Sequence, residues 1–358
     1  MDEMTRRAFY ARNDRIVAAI IQRAQKQCPG SLALIGVFGS FLTGAVHEKS
    51  DLDLLIVVND ERGSKALSQC FIMDGIGFDL YCTPWNALEA DAKYTHPHLL
   101  KLMNSKILYC GDESYQQRLQ ALRDEARQRM AGALSWSVYH AAQNYLSSAL
   151  KALGALTLLE DPASCRYQSV FLIHALEDAL CMLNQTYYQL GTKKRSEELA
   201  SFPRLPADFM NVHRRAVEAD TLSEIKESST RLARIVNAYF EDIKAGLARP
   251  APTAGDLRGS YEEMFSNWRN KMRRAAKEND LYLSLTSAAA FQACLLEFSE
   301  LFDLPSFDMM SRFESKDLIK SAEAFDAVLD AYRGEYRKAG LTVQQYTGID
   351  DFEQQYNP

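Results

Sequence analysis

Two short apolar runs near the start of the chain, and the absence of a convincing strand over 114–160, constrain the fold more than any other feature. The runs are SLALIGVFGS (31–40) and DLDLLIVV (51–58). Both are rich in Leu, Ile and Val with no sustained polar alternation, which is how strands covered on both faces read. The stretch 70–84 (FIMDG, IGFDLYCTP) reads as a hairpin turning at Asp74-Gly75, and 107–110 (ILYC) as a last short strand. Before them, residues 15–27 place apolar side chains at 16, 17, 20 and 21, a helical stripe stopped by Pro29-Gly30.

From about residue 114 the periodicity is helical. Segments 114–160, 166–190, 207–246 and 260–338 carry it, with breaks at Pro162, Pro203, Pro206 and Pro305. Gly and Pro together number 27 of 358, well under the roughly 12% of an average protein, which suits a helix-rich chain. ARPAPTAGD (248–256) is the clearest linker. The expected class is therefore α+β: a small mixed-sheet domain over 1–112, a helical domain over 113–247, and a second helical domain or subdomain over 256–345. The tail DDFEQQYNP is acidic and is expected to be loose.

With 41 basic and 47 acidic residues the net charge is −6, which argues against a general nucleic-acid coat. No apolar run approaches the ~18–20 residues needed to span a bilayer, and the charged start MDEMTRRAFYARND has no signal-peptide core. Seven cysteines occur without a C-x-x-C pair. The expectation is a cytoplasmic protein without disulfides or a zinc site.

Residues 36–58 hold the chemistry. A strand ends at Gly39-Ser40, ten residues follow, and Asp51-Leu52-Asp53 opens the next strand. Strand side chains alternate, so Asp51 and Asp53 share a face about 6–7 Å apart. Two carboxylates so placed make a hard oxygen site that suits Mg²⁺ together with substrate phosphates. Gly39 allows close backbone approach, and Ser40 with the following amides can hold a phosphate. A third carboxylate, Asp79, lies between Phe78 and Leu80; in a buried strand it would need a partner or a metal. These are parts suited to phosphoryl or nucleotidyl transfer.

Gly39-Ser40, Asp51-x-Asp53 and Asp79 together resemble the motif of the DNA polymerase β-like nucleotidyltransferase superfamily. Within it, a compact α/β unit followed by helices is similar to the kanamycin and streptomycin adenylyltransferases. The resemblance covers residues ~15–112. It implies two Mg²⁺ ions on Asp51, Asp53 and Asp79, a nucleoside triphosphate (ATP expected) at Gly39 and Ser40, and Asp79 as the acceptor's base. It implies transfer of a nucleoside monophosphate to a hydroxyl of a small polar acceptor such as an aminoglycoside, with release of pyrophosphate. The other readings are a protein or RNA modifier and a non-catalytic nucleotide-binding scaffold.

Further candidates are weaker. Glu177, on a helix face with His174, Cys181, Asn184 and Tyr188, is a second candidate base; the plainer reading is a solvated or hydrogen-bonded face. Lys193-Lys194-Arg195 could reach the triphosphate or simply end a helix. Lys49, just before the aspartates, could touch nucleotide. His96-Pro97-His98 reads as a loop, and the basic run 269–280 as a solvated face with RNA contact as its alternative. Residues 256–358 offer no catalytic candidate, only an acceptor domain or a homodimer surface.

Overall fold

The computed structural model describes residues 3–43, 47 and 49–356; the side chains of residues 3–6, Ser40, Thr43 and Thr192 fall outside that description. The chain divides into two compact units, Met1–Leu247 and Ala248–Pro358.

The first unit opens with α1 (Glu3–Gln27), β1 (Leu32–Val37), the single turn α2 (Ser40–Thr43), β2 (Leu54–Val58) and α3 (Glu61–Leu67). The hairpin β3 (Gln69–Met73) and β4 (Ile76–Leu80) follows, then β5 (Cys82–Pro84), α4 (Trp85–Ala92), α5 (Leu100–Asn104) and β6 (Lys106–Cys110). Helices α6 (Glu113–Met130), α7 (Trp136–Leu158), α8 (Pro162–Leu183), α9 (Arg195–Ala200), α10 (Phe209–Glu218) and α11 (Leu222–Gly246) complete it. The α+β class read from the sequence holds.

The main sheet has the order β5-β2-β1-β6, antiparallel except for the β2–β5 pair. Every residue of β1 and β2 is buried, as their unbroken apolar runs require. Alternation sends Leu34, Leu55 and Val57 into a core shared with α4–α8, α10 and α11. It sends Ile35, Val37, Leu54 and Ile56 into a second core with α1 and the inner face of β4. The hairpin turns where expected: Asp74 and Gly75 both have positive φ (52° and 74°), as a type I′ turn demands.

Several boundaries differ from the sequence reading. β2 begins at Leu54, so Asp51–Asp53 form an extended entry rather than strand. The segment 114–160 is two helices, parted around Gly132 at φ 84°. Pro162 starts α8 instead of only ending its predecessor, because Asp161 caps the helix and a proline at the first position forfeits no hydrogen bond. α8 then stops at Leu183, with Gln185 in the left-handed region (φ 52°), so 184–190 is not helix.

The second unit contains α12 (Ala254–Leu257), α13 (Ser260–Met264), α14 (Asn270–Glu278), α15 (Leu281–Leu301), α16 (Leu318–Lys338) and α17 (Ile349–Tyr356), with a π-helical turn over Phe265–Arg269. Phe291 and Phe325, with ring centroids 4.2 Å apart, centre its core. By length and composition α15 is apolar enough to cross a membrane, against the expectation that no segment is; here Ala288, Phe291 and Leu295 turn one face into the unit's core. The tail expected to be loose forms α17, begun by Thr347, whose backbone N–H and hydroxyl both donate to Asp351. The basic run 269–280 is in part neutralised, since Arg269 and Arg273 both bond Asp326.

Candidate active site

Antiparallel pairing explains why Gly39 and Asp53, far apart in sequence, meet. The register sets Val37 against Leu54, and one further rung, Phe38 N–H to the Asp53 carbonyl at 3.1 Å, extends the ladder. Gly39 therefore lies against the Asp53 side chain. Its φ is +69°, and a Cβ there would sit 2.2 Å from Asp53 Oδ2. Only glycine satisfies both the backbone angle and that approach.

Burial raises the Asp53 pKa above the usual carboxylate range, and the charge of Asp51 raises it further, while Lys101 opposes both. Asp51 is exposed and Asp53 half-buried. Two like charges are thus held together, with the Lys101 charge acting on Asp53 and the Arg12 charge on Asp51 through space. Lys101, on α5, reaches over the Phe38 ring at 5.9 Å. No spacing in the sequence joins it to the aspartates.

The loop before Asp51 is braced from two sides. The His47 N–H donates to Ser50 Oγ (2.9 Å), the Lys49 N–H to His47 Nδ1 (3.2 Å), and Arg12 on α1 to the Ser50 carbonyl (2.8 Å). From the helical part of the unit, Lys193 Nζ comes to 3.5 Å of His47 Nε2. The structure therefore brings Lys49 and Lys193 to the loop that presents Asp51. Lys194 is exposed and caps α9. The Ser40 side chain lies outside the described residues.

Asp79 is not buried. On β4 the buried residues are Ile76, Phe78 and Leu80, and Asp79 points to the exposed face, opposite Cys70. The burial penalty expected from its apolar neighbours does not arise, because strand alternation separates it from them. Among the described residues no group of three or more acidic, His or Cys side chains is gathered as a metal cage, so Asp79 is not drawn into a common cluster with Asp51 and Asp53.

Glu177 is 5% exposed and Asp178 7%. Glu177 accepts from Arg195 Nε at 2.6 Å and from His213 Nε2 at 2.8 Å. Asp178 accepts from Arg195 Nη2 and from His98 Nε2 (3.2 Å). Arg195 also stacks on Tyr188 at 4.1 Å, and the Tyr188 hydroxyl donates to the Glu177 carbonyl. Burial lowers the Arg195 pKa, but Tyr188, Asp178 and Glu177 outweigh it and leave the pKa above its ordinary value. The helix face is hydrogen-bonded, the plainer of the two readings. Arg195 does not end a helix; it starts α9 and anchors the segment carrying Lys193.

Residues 17–107 match the family model of the nucleotidyltransferase domain. The matched span runs from α1 to β6 and holds Gly39, Ser40, Asp51, Asp53 and Asp79; α6 through α17 lie outside it. A nucleotidyltransferase-like protein from Exiguobacterium sibiricum 255-15 is similar in structure at 9% identity and a TM-score of 0.35, over 74% of this chain and 92% of that one. No curated protein matches the chain significantly. The domain match supports nucleotidyl transfer as the general chemistry.

Proposed function

We propose that the chain is a metal-dependent nucleotidyltransferase that moves a nucleoside monophosphate, from ATP, to a hydroxyl of a small polar acceptor. The observation that carries this reading is the Gly39–Asp53–Asp51 arrangement inside the matched domain. It pairs a side-chain-free backbone approach with a half-buried carboxylate, Asp53, whose pKa burial and the neighbouring Asp51 charge raise.

The donor set is all oxygen, which fits Mg²⁺. Asp51 and Asp53 would hold it; when bound it supplies charge neutralisation on the phosphates, worth several kcal/mol in the transition state. Gly39 and the Ser40 backbone would receive the triphosphate, and Lys49 and Lys193, both at the His47 loop, would add positive charge. The acceptor oxygen forms a bond to the α-phosphorus as the α–β bridging bond breaks, and pyrophosphate leaves. Asp79, exposed on β4 within the matched domain, is favoured over Glu177 for the acceptor's proton. Both Glu177 oxygens already accept from Arg195 and His213, which ties the carboxylate into a buried network of its own.

The test is transfer of α-phosphate label from each nucleoside triphosphate, with Mg²⁺, into pools of small hydroxyl compounds, RNA and protein. Label in a small molecule, lost in Asp53→Asn, supports the proposal. Label only in RNA or protein overturns the acceptor class, and no transfer to any pool overturns the activity.

A further inference from the structure

A cavity of about 570 Å³ lies among α8, α9, α10 and the start of α11, within the range of small-molecule sites. Its lining includes Glu177, Arg195 and His213 but none of Gly39, Asp51 or Asp53. His213 is only 5% exposed. Its Nε2–H is committed to Glu177, and among the described residues Nδ1 has no protein partner. A polar ring atom on the wall of a cavity, without a partner, is satisfied by water or by a ligand.

The rest of the lining selects the ligand. Val170, Ile173, Met210 and Val217 form an apolar wall, and Val170 and Val217 remain 46% and 60% exposed, large values for valines beside a cavity. The polar side carries Arg166, His174 and Arg214 against Glu218. Arg166 is held by Asp220 at 2.7 Å, whereas among the described residues Arg214 makes a long 3.5 Å contact to Asn211 and no ion pair. The Glu177 charge is already answered by Arg195, and His213 donates to its other oxygen. A small anion bearing an apolar body fits both sides.

We infer that this cavity is a second ligand site, separate from the aspartate site, for a phosphorylated or carboxylated small molecule whose aliphatic part packs on Val170 and Val217. The anionic oxygens of the head would rest on Arg214, and a protonated oxygen of the same head would donate to His213 Nδ1, which the Nε2–H bond to Glu177 leaves as an acceptor.

Calorimetric titration of the full chain tests this, without nucleotide or metal, so the result stands apart from whether transfer occurs. The probes are octyl phosphate, octanoate and inorganic phosphate, the first two below their aggregation concentrations. The expected result is saturable one-to-one binding of octyl phosphate or octanoate, at least tenfold tighter than inorganic phosphate. The stronger amphiphilic probe reveals which head group the site prefers. Val217→Glu, at an exposed position outside the buried network, should weaken binding at least tenfold, and His213→Phe should do the same. If His213→Phe does not fold, Val217→Glu and Arg214→Glu decide. Absence of saturable amphiphile binding, equal affinity for inorganic phosphate, or binding unchanged by both mouth variants would overturn the inference.

Discussion

The first unit holds two acidic pairs that look alike in sequence and differ in everything that decides their use. Glu177 and Asp178 are deeply buried, and Arg195, His213 and His98 bond their oxygens. Asp51 and Asp53 repel one another across a more open site, and the cation acting on Asp53 is Lys101, through space. One pair is complete within the protein. The other, in the proposed function, is completed by cations of a substrate complex. Burial with partners marks a structural acid; like charges left together beside a glycine are the feature on which the proposed binding role rests.

The largest effect expected is on the open pair. Asp51→Asn or Asp53→Asn should lower transfer by about 10³-fold or more, since several kcal/mol of charge stabilisation is lost at about 1.4 kcal/mol per decade. Circular dichroism should show an unchanged fold. Near-normal transfer with unchanged Mg²⁺ dependence would erase the distinction between the pairs.

The closed pair should respond in stability. Arg195→Met leaves two buried carboxylates facing each other and should cost about 3–5 kcal/mol in denaturant unfolding. Adding Glu177→Gln and Asp178→Asn should recover part of that loss. No recovery would mean that Arg195 acts through packing on Tyr188 rather than through charge.

Gly39→Ala sharpens the geometry of the open site. The strained φ and the 2.2 Å approach to Asp53 should cost about 1–3 kcal/mol in stability and reduce transfer. A fully active, equally stable variant would show that the approach is not needed. Lys193→Ala should raise the KM for nucleotide about tenfold, the worth of one charge-assisted hydrogen bond, with kcat and melting temperature little changed. A fall in kcat alone would contradict a binding role.

The smallest effect concerns pH. The folded state holds the Asp53 proton more tightly than the unfolded chain does, because its pKa is raised. Native stability therefore falls as pH rises from the ordinary aspartate range through the raised value, and the loss is complete once pH lies above that value. Asp53→Asn should melt slightly higher than the parent at pH 7, and that difference should vanish in acid. A lower melting temperature at pH 7 would show that Asp53 is already paired.

How much could be read from the residues follows from the range of the interactions. The Gly39–Asp53 meeting was legible because strand pairing is local: two adjacent apolar runs that pair antiparallel must bring the end of one to the start of the next. The turn at Asp74-Gly75 was legible for the same reason. Lys101 and His213 were not, because helix packing alone carries them to their acidic partners. The run Lys193-Lys194-Arg195 reads as one basic cluster, yet tertiary contacts divide it into a lysine at the His47 loop, an exposed lysine and a buried anchor. Asp79 was misread because its neighbours are apolar, while alternation on β4 sends it to the other side.

The most direct test of this account compares label transfer from α-phosphate-labelled ATP, in the presence of Mg²⁺, by Asp53→Asn and Glu177→Gln, each normalised to folded protein. The account predicts that Asp53→Asn is inactive and that Glu177→Gln keeps most of its activity. An inactive Glu177→Gln beside an active Asp53→Asn would reverse the roles assigned to the two acidic pairs.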